Sequence, residues 1–212
     1  MLDFNRKIAI FGCGGLSKDI FYCLKDIFQF NNISMDEKVV FVDKEVKNGD
    51  FFLNCPLRNQ VDLDVNEYQV IIAIGNPIIR KKIVDDLPKF TYFPTIIHST
   101  VLLNPKVLLG KGVVILPNSI VSCDVKVGDF SIIDRAVQIG HDCSLAEYVH
   151  LSPAAVLSGN VILKSLVQIG TNASLKQNIE IVEGTVIGMG AVVLKSIFDI
   201  GIYVGNPAKK IK

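Results

Sequence analysis

Of the three histidines in the chain, His98, His141 and His150, one stands directly before an acid: His141 precedes Asp142 in the stretch IGHDC. A carboxylate beside an imidazole suits general-base work, because it fixes the ring tautomer and makes the ring a better proton acceptor. Adjacency in sequence is weak evidence alone, since most such pairs are solvated surface. Cys143 follows at once, but it falls at a position expected to point inward. A buried thiol explains it more simply than a nucleophile does, and transfer chemistry at His141 would then be direct. A second chemistry-bearing cluster is Gly12-Cys13-Gly14-Gly15, between the strand-like KIAIF and a helix-like run. Backbone N–H groups there, with the helix N-terminus, can hold a diphosphate. The third glycine of a dinucleotide fingerprint is missing, which puts a nucleotide sugar ahead of NAD.

The elements that must position these groups differ between the two halves of the chain. In the first ninety residues strand-like and helix-like segments alternate: Lys7 to Phe11, Leu16 to Phe28, Val39 to Asp43, Val70 to Gly75, and a helix opened by Pro77 that runs to Leu87. That order predicts a small parallel sheet covered on its faces, a truncated doubly wound domain. From Ile97 the period becomes six. Seventeen successive positions, from Ile97 and Leu103 through Ile139 and Leu157 to Val193, are all aliphatic. Four residues after each comes a small or β-branched residue, such as Val101, Ser131, Cys143 or Ala191. Neither a helix nor an ordinary strand repeats every six residues; a parallel β-helix of hexapeptide repeats does. Three hexads complete a coil, and each inward aliphatic side chain is worth about 2 kcal/mol of burial as an upper estimate.

The coil length strengthens the reading of His141. Eighteen residues further on stands Gly159, so the rung above the imidazole carries no side chain and leaves room for a substrate. His150 lies half a coil away and cannot touch His141 within one chain, although it can approach a neighbour's His141 in a threefold assembly. His98, at the junction of the halves, reads as structural.

Composition narrows the function classes. The 212 residues are 50% hydrophobic and 20% charged, with 22 basic and 21 acidic side chains, which gives a net charge of +1. Such a chain builds a core and has no general field for nucleic acid or membrane, so any partner must be met at a local site. No apolar run has the length of a membrane span, and the start MLDFNRKIAIFG leads straight into a strand. Five cysteines without CxxC spacing read as reduced thiols rather than metal ligands or disulfides, and the expected location is the cytoplasm.

GCGGLS, FVDK, AIGN-x-x-I-R, the hexads around IGHDCSLAEYVHLSPAAVLSGNV and the ending YVGNPAKKI together resemble the NeuD/PglD family of sugar O- and N-acyltransferases over nearly the whole chain. The resemblance is nearest to members acting on a UDP-linked 4-amino-4,6-dideoxy sugar. It implies a Rossmann-like nucleotide-sugar domain over residues 1–94 and a left-handed β-helix over 95–212, assembled as a homotrimer. Acetyl-CoA would be co-substrate in a groove between subunits, with no metal. Carried over by position, His141 is the base, Asp142 its supporting acid and Gly159 a backbone donor to the thioester oxygen. Gly14, Gly15 and Leu16 would touch nucleotide or sugar, Asp43 and Lys44 base and ribose, and Gly75 and Asn76 would close that pocket. Asp134 stands where a relative has Asn near the sugar. His150, Thr171, Met189 and Lys209 would contact CoA, with Lys210 a second cation for its phosphates in a tail that caps the last coil. Leu16 replaces a His of several relatives, and Ser17 replaces the last glycine, which leaves the nucleotide and sugar open. O-acetylation of a sialic acid is the nearest enzymatic alternative, and a non-catalytic nucleotide-sugar-binding scaffold is the alternative of another class.

Overall fold

The structure, a computed structural model, describes residues 1–35, 37–44, 46 and 49–212. The chain divides into two compact units, Met1–Ser99 and Thr100–Lys212.

The front unit runs β1 (Lys7–Phe11), α1 (Gly15–Phe30), β2 (Val39–Asp43), β3 (Phe51–Phe52), β4 (Cys55–Asn59), β5 (Tyr68–Ile72) and α2 (Pro77–Asp86). The sheet order is β3-β4-β2-β1-β5, parallel except for β3 against β4. β1 is buried along most of its length because both its faces are covered: Ile8 and Ile10 face one side, Ala9 and Phe11 the other. α1 forms because Ile20, Leu24, Ile27 and Phe28 recur at three- and four-residue spacing and pack inward as one stripe. The chain goes from β1 outward to β2 and β4, then returns past β1 to β5. The strand order therefore reverses beside β1, and the crevice at the carboxyl ends of β1 and β5 is where such sheets take ligands. Strands β3 and β4 were not expected. Cys55-Pro-Leu-Arg-Asn holds a proline and a single buried residue, Leu57, so it carries no apolar run to read.

The second unit is a parallel β-helix. Two-residue strands follow every six residues and pair with partners eighteen residues away, as in Gln138↔Val156 and Ser144↔Ile162. One face stacks six strands from Leu102–Leu103 to Val192–Val193, and the second stacks five from Leu108–Leu109 to Glu180–Ile181. The third runs from Val114–Ile115 to Val186–Ile187 and then takes Ile202–Val204 and the antiparallel Lys209–Lys210. Inward aliphatic residues from Ile115 to Val193 are all buried, whereas Leu103, at the end of its sheet, is 40% exposed. At the second inward site, polar residues pair in a repeating pattern. Ser119 donates to the Asp134 carbonyl at 2.7 Å, Ser131 to Ala146 at 3.1 Å and the Cys143 thiol to Ser158 at 3.2 Å.

Candidate active site

The catalytic candidates occupy one corner of the β-helix, between its first and second faces. Each turn there places its second residue in the left-handed region, φ 57° at Asp124, 61° at Asp142 and 55° at Asn160, a conformation that Asp and Asn tolerate. Asp142 consequently turns its carboxylate back onto the preceding side chain, and Oδ2 lies 2.7 Å from His141 Nδ1. That bond assigns the Nδ1 proton and leaves the Nε2 lone pair as the acceptor, with no partner among the described residues. Both side chains are exposed, so a substrate can reach them.

Gly159 lies above the ring, as the eighteen-residue coil predicts. A Cβ built there would stand 2.6 Å from His141 Nε2 and Cε1, so any other residue would occupy the imidazole's space. The Gly159 carbonyl accepts from Asn178, while its N–H meets no acceptor among the described residues. Its peptide is held from inside, because the preceding Ser158 carbonyl accepts the Cys143 thiol. Burial pushes that thiol above its usual range, so it stays protonated and donates. Gly140 sits beneath the same peptide, where a Cβ would lie 2.7 Å from Gly159 N. Neither the Cys143 contact nor Gly140 belongs to a motif visible in the sequence. The eighteen-residue arithmetic could have found Gly140, one coil below Ser158.

The other expected donor contacts lie elsewhere on the same chain. Thr171 and Met189 stack at the corner between the third and first faces, and Met189 is 76% exposed. His150 opens a strand of the third face, paired between Ile132 and Gln168. Lys209 is exposed in the terminal hairpin, and its ammonium pairs with no described residue. Lys210 lies 2.6 Å from the exposed carboxylate of Asp199. The tail does cover the last coil, with Ala208 N–H on the Val192 carbonyl. Asp134 lies at the corner that precedes Thr171 by two rungs. It is buried, its Oδ1 accepting from the Arg135 N–H at 2.7 Å with the guanidinium at 3.5 Å.

The nucleotide candidates gather in the front unit at the reversal of strand order. Gly12 carries φ +108° and a Cβ there would lie 2.7 Å from the Ile74 side chain, so only glycine lets these loops pass each other. Gly14 caps α1 without any side-chain hydrogen bond, and Gly15 opens the helix with nothing within 4 Å of an added Cβ. Among the described residues no side chain caps this helix N-terminus, whose first N–H groups have no intrahelical acceptor, which fits an anion. Leu16 is half-buried behind it, and the buried Ser17 hydroxyl donates to the Gly14 carbonyl at 2.6 Å. Across the crevice, the Asn76 side chain caps α2 by accepting from Ile78 and Ile79. Arg80, 1% exposed, donates to the Ile74 and Gly75 carbonyls and fixes that turn. Arg80 is the last residue of the AIGN-x-x-I-R stretch, and its structural part there is to hold these two carbonyls. Asp43 ends β2 with its carboxylate on the Lys44 N–H, and the Lys44 ammonium reaches Asp86 at 3.5 Å. Burial, then the nearby Asp43 charge, push the Cys13 thiol up to about 11. His98 is buried in this unit, its Nε2 3.5 Å from the Asp26 carboxylate.

A β-helix carries a corner histidine paired to an acid beneath a glycine, in one chain with a doubly wound unit open at its strand reversal. Residues 7–87 match the PglD N-terminal domain. A GDP-perosamine N-acetyltransferase of Escherichia coli O157:H7 is 30% identical over 221 aligned positions, covering 96% of each chain. The acetyltransferase domain of PglB from Neisseria gonorrhoeae FA1090, solved with acetyl coenzyme A, is 28% identical with a TM-score of 0.87, over 97% of this chain and 99% of that one. PerB from Caulobacter crescentus, solved with CoA and GDP-perosamine, is 26% identical with a TM-score of 0.85, over 97% of both chains. The chain belongs to the NeuD/PglD family of sugar acyltransferases. Among the described residues, no helix is long and apolar enough to cross a membrane.

Proposed function

We propose that this protein moves the acetyl group of acetyl-CoA directly onto the amino group of a nucleotide-linked 4-amino-4,6-dideoxy sugar. The observation that carries the reading is the His141 ring, oriented by Asp142 at Nδ1 with Nε2 free beneath the unused N–H of Gly159. Relatives that N-acetylate GDP-perosamine, or that bind acetyl-CoA, support both substrates. The neutral sugar amine attacks the thioester carbonyl carbon and His141 Nε2 takes the amine proton. The Gly159 N–H bonds the oxyanion, and the carbon–sulfur bond then breaks. The proton passes to the departing thiolate, which leaves as CoA. Asp142 stabilises the imidazolium between these two transfers. Cys143 serves as a hydrogen-bond donor to the backbone and takes no covalent part.

The Gly14–Gly15 helix start is read as the diphosphate site, Asp43 and Lys44 as contacts to base and ribose, and Gly75 and Asn76 as the opposite wall. His150, Thr171, Met189 and Lys209 are read as contacts to CoA from a neighbouring subunit, because they lie away from the His141 corner of their own chain. That division supports a homotrimer, a closed ring in which each site takes two chains. Five unpaired thiols and the dependence on acetyl-CoA support a cytoplasmic location. The test offers acetyl-CoA with GDP-perosamine, the corresponding UDP- and dTDP-linked 4-amino sugars, and sialic acid. Thiol release coupled to N-acetylation of an amino sugar is expected. Turnover confined to sialic acid, or no turnover with any acceptor, overturns the reading.

A further inference from the structure

Strand β5 keeps its ladder with β1 only as far as Ala73, whose N–H bonds the Phe11 carbonyl at 2.9 Å. Beyond it the chain turns into α2, and the carbonyls of Ile74 and Gly75 lie past the last strand partner. Arg80 answers both: its Nη1 lies 2.6 Å from the Ile74 oxygen and 3.0 Å from that of Gly75. The side chain reaches back from α2, where its own N–H closes a helical bond to the Asn76 carbonyl at 2.9 Å. A guanidinium stays charged when buried, and at 1% exposure this one has two carbonyl dipoles aimed at it.

The effect reaches the other side of the peptide. The Gly75–Asn76 bond is trans, and a planar trans peptide points its N–H opposite to its C=O. With the Gly75 carbonyl turned inward onto Arg80, the Asn76 N–H is turned away from the buried charge. Asn76 is exposed, and that N–H meets no acceptor among the described residues. The Asn76 side-chain oxygen is committed to the α2 cap, so the residue is fixed from both directions. A cation on the carbonyl also polarises the peptide and makes the N–H a stronger donor. The same turn stands against the glycine loop: a Cβ at Gly12 would lie 2.7 Å from the Ile74 side chain and 3.2 Å from the Ala73 carbonyl. Arg80 thus sets, from inside, the orientation of the wall that faces that loop.

We propose that Arg80 is a positioning residue for the acceptor: through the Gly75 carbonyl it aims the Asn76 N–H at an acceptor oxygen of the bound nucleoside diphosphate. The inference rests on the nucleotide-sugar reading and adds the buried residue that prepares its wall. Calorimetric titration of the full-length protein with GDP, UDP, dTDP and CoA tests it, taking the nucleotide that wild type binds most tightly. Arg80→Met should weaken that nucleotide about tenfold, the size of one lost bond to a charged group, with CoA within about twofold of wild type. Arg80→Lys, which keeps the cation but not the planar fork, should lose about threefold. Asn76→Pro and Asn76→Ala both lose the α2 cap, but only proline lacks the N–H, and its fixed φ suits the −67° of Asn76. Asn76→Pro should therefore bind the nucleotide about tenfold more weakly than Asn76→Ala. A folded Arg80→Met with wild-type nucleotide affinity, or with equal losses on nucleotide and CoA, overturns the proposal. Should that variant not fold, an Asn76→Pro protein that binds the nucleotide as Asn76→Ala does overturns it. Wild-type protein that binds CoA but none of the three nucleotides overturns the nucleotide-sugar reading itself.

Discussion

Replacing Gly159 by alanine isolates the geometry of the site with one methyl group. The added Cβ would lie 2.6 Å from both Nε2 and Cε1 of His141, against an ordinary contact of about 3.6 Å. The ring must therefore retreat by about 1 Å, and a misplacement of that size costs on the order of 10² in rate. The backbone need not suffer, because Gly159 does not use a left-handed φ and His141 is exposed enough to swing into solvent. The N–H donor is retained. The variant should therefore lose about a hundredfold in kcat, with a melting temperature within roughly 3 °C of wild type. Steady-state thiol release with both substrates saturating, beside a thermal melt, reads both quantities. A kcat within threefold of wild type would refute the idea that the imidazole beneath Gly159 is the working group. A loss of activity matched by collapse of the fold would refute the local account of it.

The two glycines of the front loop should part company: Gly12→Ala, with φ +108° and the Ile74 side chain in its way, should lose about 2 kcal/mol or more in a denaturant melt. Gly15→Ala should leave stability intact but raise the acceptor KM far more than the donor KM, as Asp43→Ala should. Cys23, which burial foremost and then the Asp26 charge push up to about 12, stays protonated in the fold. Its contribution is fully present below pH 9 and is lost as pH rises from 9 toward 12, at up to about 1.4 kcal/mol per pH unit, and Cys23→Ala should flatten that limb of the stability curve. Cys143→Ala, which removes the donor to the Ser158 carbonyl, should lower kcat several-fold, and Cys143→Ser should restore it, as read by initial rates at saturating substrates.

The β-helix was legible because its period is written in every coil. Ile139, Leu157 and Leu175 must stack, so the sequence itself sets the rung register and places Gly159 over His141. The same arithmetic found the inward position of Cys143, but not that its thiol holds the Ser158–Gly159 peptide, since a contact fifteen residues away follows from the shape of the corner. In the front unit, β1 and β2 were readable as apolar runs. β4 was not, because its neighbours rather than its composition make it a strand. Arg80 was invisible for a similar reason: a buried guanidinium satisfied by two backbone carbonyls looks, in sequence, like one more charge on an exposed helix. The pairing of Lys210 with Asp199 was hidden as well, since it crosses a turn that no repeat describes.

The central claim is that His141 accepts the amine proton in a direct acetyl transfer. Its most direct test is kcat for His141→Ala, measured with acetyl-CoA and the acceptor both saturating and with the assembly confirmed by light scattering. A loss of 10²–10⁴-fold, the usual worth of a general base, is expected, with the melting temperature unchanged. A variant that keeps more than about a tenth of wild-type kcat would contradict it.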